Sequence, residues 1–246
     1  MKNRFYAFLI HLLLSGLLVA GVAITLVFFV WYPDPLDQAI GVSDIFLLIL
    51  AVSITMGPMM TFVVYKKGKP GLKFDLFVIV LIQVAALTYG MLTVFEGRPA
   101  FIVFNQDRFD AVRWIDLDAK SVKTAELAGN QSAQASWLSP RWVAAIESTD
   151  RKRAEEILFS AVDGGADWPQ LPELFVPLEQ VKETMLKKAQ PLSALAHLDK
   201  NAPALANLPL DRIKFLPLRS KTKDMAVLID SESAAVIKII DIDPWS

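Results

Sequence analysis

The chain has 246 residues, 25 basic against 26 acidic side chains, and no cysteine. Hydrophobic residues make up 54% before glycine is counted, against roughly 45–50% with glycine in average globular chains, which excludes a disordered chain and points away from an ordinary soluble one. A net charge of -1 gives no field to steer a polyanion, so nucleic acid is not an expected partner, and the missing thiols exclude disulfides, thiolate metal sites and cysteine nucleophiles.

The apolar residues are concentrated. Residues 1 to 95 hold ten charges: Lys2, Arg4, Asp34, Asp37, Asp44, Lys66, Lys67, Lys69, Lys73 and Asp75. Between them lie three uncharged runs, about 5–32, 45–65 and 76–95, each of about the 20 residues a helix needs to cross a hydrocarbon core. Three transmembrane helices are expected. The basic start and the small residues Val19 to Ala23 resemble a signal peptide, but a signal's apolar region spans only about 7 to 15 residues. This run continues to Trp31 and Tyr32, an aromatic pair suited to a membrane interface, so it reads as an uncleaved anchor.

Orientation follows from the basic flanks. Lys2 and Arg4 precede the first run, the loop from Pro33 to Asp44 has no Lys or Arg, and the next loop carries Lys66, Lys67, Lys69 and Lys73. The positive-inside rule puts the amino terminus and the lysine loop in the cytoplasm. Everything after about Glu96 is then delivered outward, which in a bacterial inner membrane is the periplasm.

Small residues four apart mark helix contact faces in lipid. Gly16 with Ala20, Ser53 with Gly57, and Ala86 with Gly90 are such pairs; they fit either packing among the three helices or reception of another protein's helix. Pro58 after Gly57 removes a backbone donor and is expected to kink the second helix, with Thr55 and Thr61 placed to satisfy freed carbonyls. His11 is an ionisable group about one and a half turns into the first run. Such a residue is a functional candidate; a neutral imidazole bonded to a neighbouring helix is the alternative.

The remaining residues, 98–246, are expected to form an α+β periplasmic domain, mildly acidic and large enough for its own core. Phe101 to Phe104 and Arg108 to Ile115 read as strands around a turn at Asn105-Gln106-Asp107, and Trp142 to Ile146 as a third. Asp150 begins a helix to about Val162, stopped by Gly164-Gly165, and Pro177 opens another through Ala189. Prolines at 191, 203 and 209 break up the next stretch, and Ala226 to Asp230 with Ala235 to Ile240 read as a terminal hairpin around Ser231-Glu232-Ser233. Arg151-Lys152-Arg153 reads as a solvated face or as a contact for an acidic protein patch. His197 is the one histidine outside the apolar runs, so no histidine cluster can hold zinc, and no Gly-x-Ser-x-Gly elbow accompanies it. No catalytic residue, metal site or cofactor site is expected.

Several short segments carry a resemblance. Ala7 to Leu13, Trp31-Tyr32-Pro33, Gly57-Pro58 with Thr61, Lys69-Pro70-Gly71-Leu72-Lys73-Phe74-Asp75, Tyr89-Gly90 before Arg98-Pro99, Asp107-Arg108-Phe109 and the ending Asp230 to Trp245 resemble the TfpX/TfpZ family of type IV pilin accessory proteins. The lysine loop with its following Phe-Asp is the most specific piece, and residues 120 to 210 the least. The resemblance implies a non-enzymatic inner-membrane protein that assists pilus assembly or dynamics and is matched to a major pilin, with other inner-membrane assembly components as further partners. On that reading His11, Gly16, Ala20, Ser53, Gly57, Pro58, Ala86 and Gly90 are candidate contacts for the pilin helix, and His11 lies at a depth to pair with an acidic residue near that helix's start. A membrane-anchored sensor is a competing class, although both cytoplasmic segments are short for an output domain. An envelope-maturation enzyme is another, but the aspartates Asp34, Asp37, Asp44 and Asp75 lie in loops or at helix ends.

Overall fold

The computed structural model describes residues 1–162, 164–195, 205 and 208–245. It divides into two compact units, Met1–Pro33 with Val42–Gly97, and Asp34–Gly41 with Arg98–Ser246. In the first 97 residues the helices are α1 (Lys2–Trp31, its last turns from Thr25 wound as a π-helix), α2 (Leu36–Ile40), α3 (Val42–Val64) and α4 (Leu72–Glu96).

Helices α1, α3 and α4 form the first unit and are long and apolar enough to cross a membrane. They start a few residues before the uncharged runs, because backbone hydrogen bonding continues through residues such as Lys2, Asp44 and Lys73. Asp44 and Asp75 sit in the first turns of α3 and α4, where a carboxylate is favoured by the exposed N–H groups. Helix α3 runs unbroken through Pro58. At one end of the unit the Tyr32 hydroxyl donates to the Val94 carbonyl at 2.7 Å, and the Trp31 and Phe95 rings meet edge-on with centroids 5.1 Å apart. These contacts join the close of α1 to the close of α4.

The second unit is built on a mixed sheet of β1 (Pro99–Asn105), β2 (Arg108–Arg113), β3 (Arg141–Ala145), β4 (Phe175–Val176), β5 (Gln190–Pro191), β6 (Ile213–Arg219), β7 (Met225–Asp230) and β8 (Val236–Ile240). Their spatial order is β4-β3-β1-β2-β6-β7-β8, with β5 also on β6. The β1–β2 and β7–β8 neighbours are antiparallel hairpins, whereas β1–β3 and β2–β6 are parallel. Period-two alternation divides the apolar residues between two faces. Ile102, Phe104, Phe109, Leu216, Leu218, Val227 and Ile229 share one cluster with Met185, which comes from helix α7 (Lys182–Lys188) once α5 (Ala119–Leu127) and α6 (Arg151–Val162) are counted. Phe101, Val103, Val143 and Phe175 make a second cluster, and Phe215, Leu228 and Ile240 a third.

The same unit includes a segment read from sequence only as a charged loop. Leu36 and Ala39 of α2 belong to the main sheet cluster. The Ala39 carbonyl accepts the Thr222 backbone N–H at 2.9 Å, and the Ile40 carbonyl accepts the Thr222 hydroxyl at 3.0 Å. Gly41, at φ 75°, closes α2 where a Cβ would meet the Thr222 hydroxyl oxygen at 2.6 Å; only glycine combines that backbone angle with that approach.

Other elements differ in detail from the expectations. The strand through Ile115 ends at Arg113 and passes into a 3-10 turn, and the helix expected from Pro177 is a 3-10 turn at Leu178–Val181 followed by α7. Helix α5 was not anticipated; its start is fixed by the Asp118 carboxylate, which accepts the Ser121 N–H at 2.7 Å. Strand β6 was not anticipated either, and it carries Pro217 at a central position, where proline removes a ladder hydrogen bond. It is tolerated there in the interval between β5, paired at Lys214 and Phe215, and β2, paired at Leu218 and Arg219. The terminal hairpin turns on Asp230, whose carboxylate accepts the backbone N–H groups of Glu232 and Ser233 at 3.0 and 2.7 Å. Those bonds, with the Ser233 hydroxyl, hold its pKa down at about 2. His197 lies outside the described residues.

Candidate functional site

The polar side chains of the long helices converge. His11 of α1 places Nδ1 2.7 Å from the Thr61 hydroxyl of α3 and Nε2 3.1 Å from Oε1 of Gln83 on α4. The other end of Gln83 donates through Nε2 to the Ser53 carbonyl at 2.8 Å. A neutral imidazole protonated at Nε2 satisfies the whole chain: Thr61 donates to Nδ1, Nε2 donates to Gln83, and Gln83 donates to the α3 backbone. Sequence spacing alone could not pair residues 50 and 72 positions apart.

Pro58 withholds the N–H that the Ile54 carbonyl would otherwise take, and one residue earlier the Gln83 amide bonds the Ser53 carbonyl from the neighbouring helix. Thr55 donates to the Ala51 carbonyl at 2.7 Å, within its own helix, whereas Thr61, expected to serve the backbone, serves His11 instead. Gly57 makes room for this arrangement: a Cβ there would overlap the Gln83 amide.

The small-residue pairs are used unequally. Ser53, Gly57, Pro58 and Gly90 are buried within the three-helix unit, and a Cβ on Gly90 would run into Ile49 of α3. Gly16 faces Ile54 at an ordinary 3.8 Å from where its Cβ would stand. Ala20 is half-buried and Ala86 exposed. The close approaches at Gly57 and Gly90 are thus contacts among the protein's own helices.

His11 and Thr61 also line a groove of about 540 Å³, together with Asn3, Tyr6, Tyr65 and Lys67. Lys2, Arg4, Lys66, Lys67 and Lys73 are exposed, and Lys69 pairs with Asp75 at 2.7 Å. Among the described residues no group of three His, Asp or Glu side chains is arranged to hold a metal ion. The geometry is that of a packed polar node joining α1, α3 and α4.

Comparison with known proteins gives this arrangement a context. The family model Fimbrial assembly protein FimB matches residues 1–41, that is, α1 and the segment carrying α2. A fimbrial assembly protein of serogroup I from Dichelobacter nodosus is 30% identical over 250 residues, covering 96% of this chain and 94% of the relative. The serogroup E1 protein of the same organism is 28% identical over the same shares, and the protein of serogroups C1 and C2 is 40% identical over 101 residues, 40% of this chain. No solved structure matches. With similarity running through both units, the chain belongs to the fimbrial assembly protein FimB family.

Proposed function

We propose that the protein is a non-enzymatic accessory of type IV pilus assembly, of the TfpX/TfpZ kind, that resides in the bacterial inner membrane and binds the major pilin. The observation that carries the role in assembly is the full-length similarity to fimbrial assembly proteins. The membrane reading is supported by three helices of spanning length with lysines concentrated in the loop between α3 and α4.

The topology has independent support in the fold. The α2 segment follows the first span and the sheet strands follow the third, yet they share one core. A single core cannot be divided by a bilayer, so an odd number of crossings separates both from the lysine loop. That agrees with a cytoplasmic amino terminus and a periplasmic sheet domain.

A pilin before assembly is a membrane helix with an exported head, so a partner needs helix surface in lipid and a folded domain outside. With Ser53, Gly57, Pro58 and Gly90 taken up inside the unit, the surfaces left for a pilin helix include Ala86 and an apolar groove at Phe5, Phe8, Met56, Met59 and Phe62. A pilin carboxylate pairing with His11 would have to displace Thr61 or Gln83. The test is co-purification: the tagged full-length protein, solubilised from cells making the major pilin, retains that pilin and does not retain an unrelated single-span protein. Equal recovery of both overturns pilin binding. Unchanged pilin recovery and piliation in His11→Ala would remove His11 from the interface.

A further inference from the structure

A cleft of about 380 Å³ opens on the sheet domain where β2 and β6 part. The two strands run parallel and share two register pairs, Phe109 with Leu218 and Asp110 with Arg219. Strand β2 then continues to Arg113, whereas β6 ends at Arg219. From Ala111 to Arg113, β2 is paired with β1 on one side, and among the described residues no strand covers the other. Ala111 and Val112 line the cleft there, with Pro169 and Gln170 also in its wall. An uncovered strand edge is a template for a further strand.

The charged groups are unevenly committed. Asp116 is clamped by Arg113 through two bonds of 2.7 and 2.6 Å, and the Asp167 carboxylate caps Trp168 at 2.8 Å. Both are occupied by their own chain. Asp110, whose side chain is 15% exposed, lies 3.5 Å from Arg108 Nε, but its other oxygen, Oδ2, is buried without a hydrogen-bond partner. Arg219 and Lys221 are exposed and line the cleft, and among the described residues their side chains make no hydrogen bond or ion pair. The cleft therefore holds a carboxyl oxygen lacking a donor and two exposed cations that no described carboxylate approaches to ion-pair distance, beside a backbone edge lacking a strand.

We propose that this cleft binds an extended, acidic peptide segment, which adds to the β2 edge at Ala111–Arg113 in line with β6 and sets a carboxylate against Arg219 and Lys221. The volume falls in the range of roughly 300–1,000 Å³ usual for ligand clefts. Strand addition supplies the backbone N–H and C=O groups that the edge lacks, and side chains confer selectivity. Arginine and lysine at an open rim favour a carboxylate over its neutral amide. Phosphate would bring charge but none of the strand-pairing groups. The assignment does not depend on which protein supplies the segment, so its failure leaves pilin co-purification untouched.

The test uses the full-length protein in detergent and a fluorescein-labelled hexapeptide alternating valine with aspartate, followed by fluorescence anisotropy. The peptide binds. Its asparagine counterpart, and the aspartate peptide against the double variant Arg219→Gln with Lys221→Gln, each bind about fivefold more weakly or worse, as expected for two exposed charge contacts. Methylating the peptide's backbone nitrogens abolishes binding, because a strand cannot then donate to the edge. Unaltered melting of the double variant shows that its fold is intact. The proposal is overturned by absence of binding at millimolar peptide, by equal binding of the asparagine peptide or of the double variant, by indifference to N-methylation, or by inorganic phosphate displacing the peptide at equimolar concentration.

Discussion

The Ser220 hydroxyl donates to the Ala39 carbonyl at 2.8 Å, joining residues 181 positions apart. The bond makes the short segment between the first two long helices a structural part of the sheet domain. It also converts a question about membrane topology into one about a hydrophobic core, because Leu36 and Ala39 are buried with Phe104, Leu218 and Val227.

The absence of cysteine makes the topology directly measurable with single introduced thiols. Gln38, Glu232 and Lys66 are exposed. In spheroplasts, a membrane-impermeant maleimide should label Gln38→Cys and Glu232→Cys, and should label Lys66→Cys only after permeabilisation. Labelling of Gln38→Cys and Glu232→Cys from opposite sides would be incompatible with their shared fold.

Leu36 is 3% exposed. Leu36→Ala removes a buried branched side chain and should destabilise the sheet domain by about 2–5 kcal/mol. Tryptophan fluorescence during thermal unfolding reads the change, since Trp142 packs against the same cluster. If the segment were merely a connecting loop, the melting transition would not move.

The spans were legible in the sequence because twenty uncharged residues satisfy the bilayer by length alone. The hairpins were legible because turn residues lie beside period-two runs. The place of α2 was not, because its burial depends on Thr222 and Ser220, far along the chain. Strand β6 was not legible for a related reason: the acceptability of Pro217 within it depends on where β5 stops and β2 begins. In the candidate site, His11 and Gly57 were both visible as unusual residues, but that Gln83 connects them depends on how α1, α3 and α4 pack. A glutamine in an apolar run carries a signal of its own, since both ends of its amide need partners in lipid.

Gly57 and Gln83 should therefore be coupled. Gly57→Ala forces a methyl group onto the Gln83 amide and should cost about 1–3 kcal/mol as overpacking. Gln83→Ala loses its intramembrane hydrogen bonds, worth on average about 0.6 kcal/mol each. The double variant should be less unstable than the sum of the two, because the displaced amide is gone. Unfolding of the purified protein in mixed micelles measures all three, and strict additivity would deny the contact.

The same node predicts a graded response at His11. His11→Ala leaves Thr61 and one end of Gln83 without their partner and should cost about 1–2 kcal/mol in the same assay. His11→Asn retains a donor and an acceptor and should recover part of the loss. If alanine and asparagine are equally tolerated, the imidazole contributes packing rather than hydrogen bonds.

In the sheet domain, burial raises the Asp110 pKa to about 6 from the ordinary 3.8, against the opposing influence of Arg108 and Arg219 and with a small addition from Asp167. The folded state therefore binds this proton more tightly than the unfolded chain does. Between about pH 4 and 6 more protons are bound folded than unfolded, so stability falls as pH rises. Two pKa units correspond to on the order of 3 kcal/mol. Asp230 acts in the opposite sense, gaining stability as pH rises, but between its pKa of about 2 and the ordinary 3.8. The two windows are separate, so Asp110→Asn should flatten the decline between pH 4 and 6 while leaving the acid limb intact. Denaturant unfolding of the full-length protein across that range gives the slope, and a decline that survives the substitution would assign it to another group.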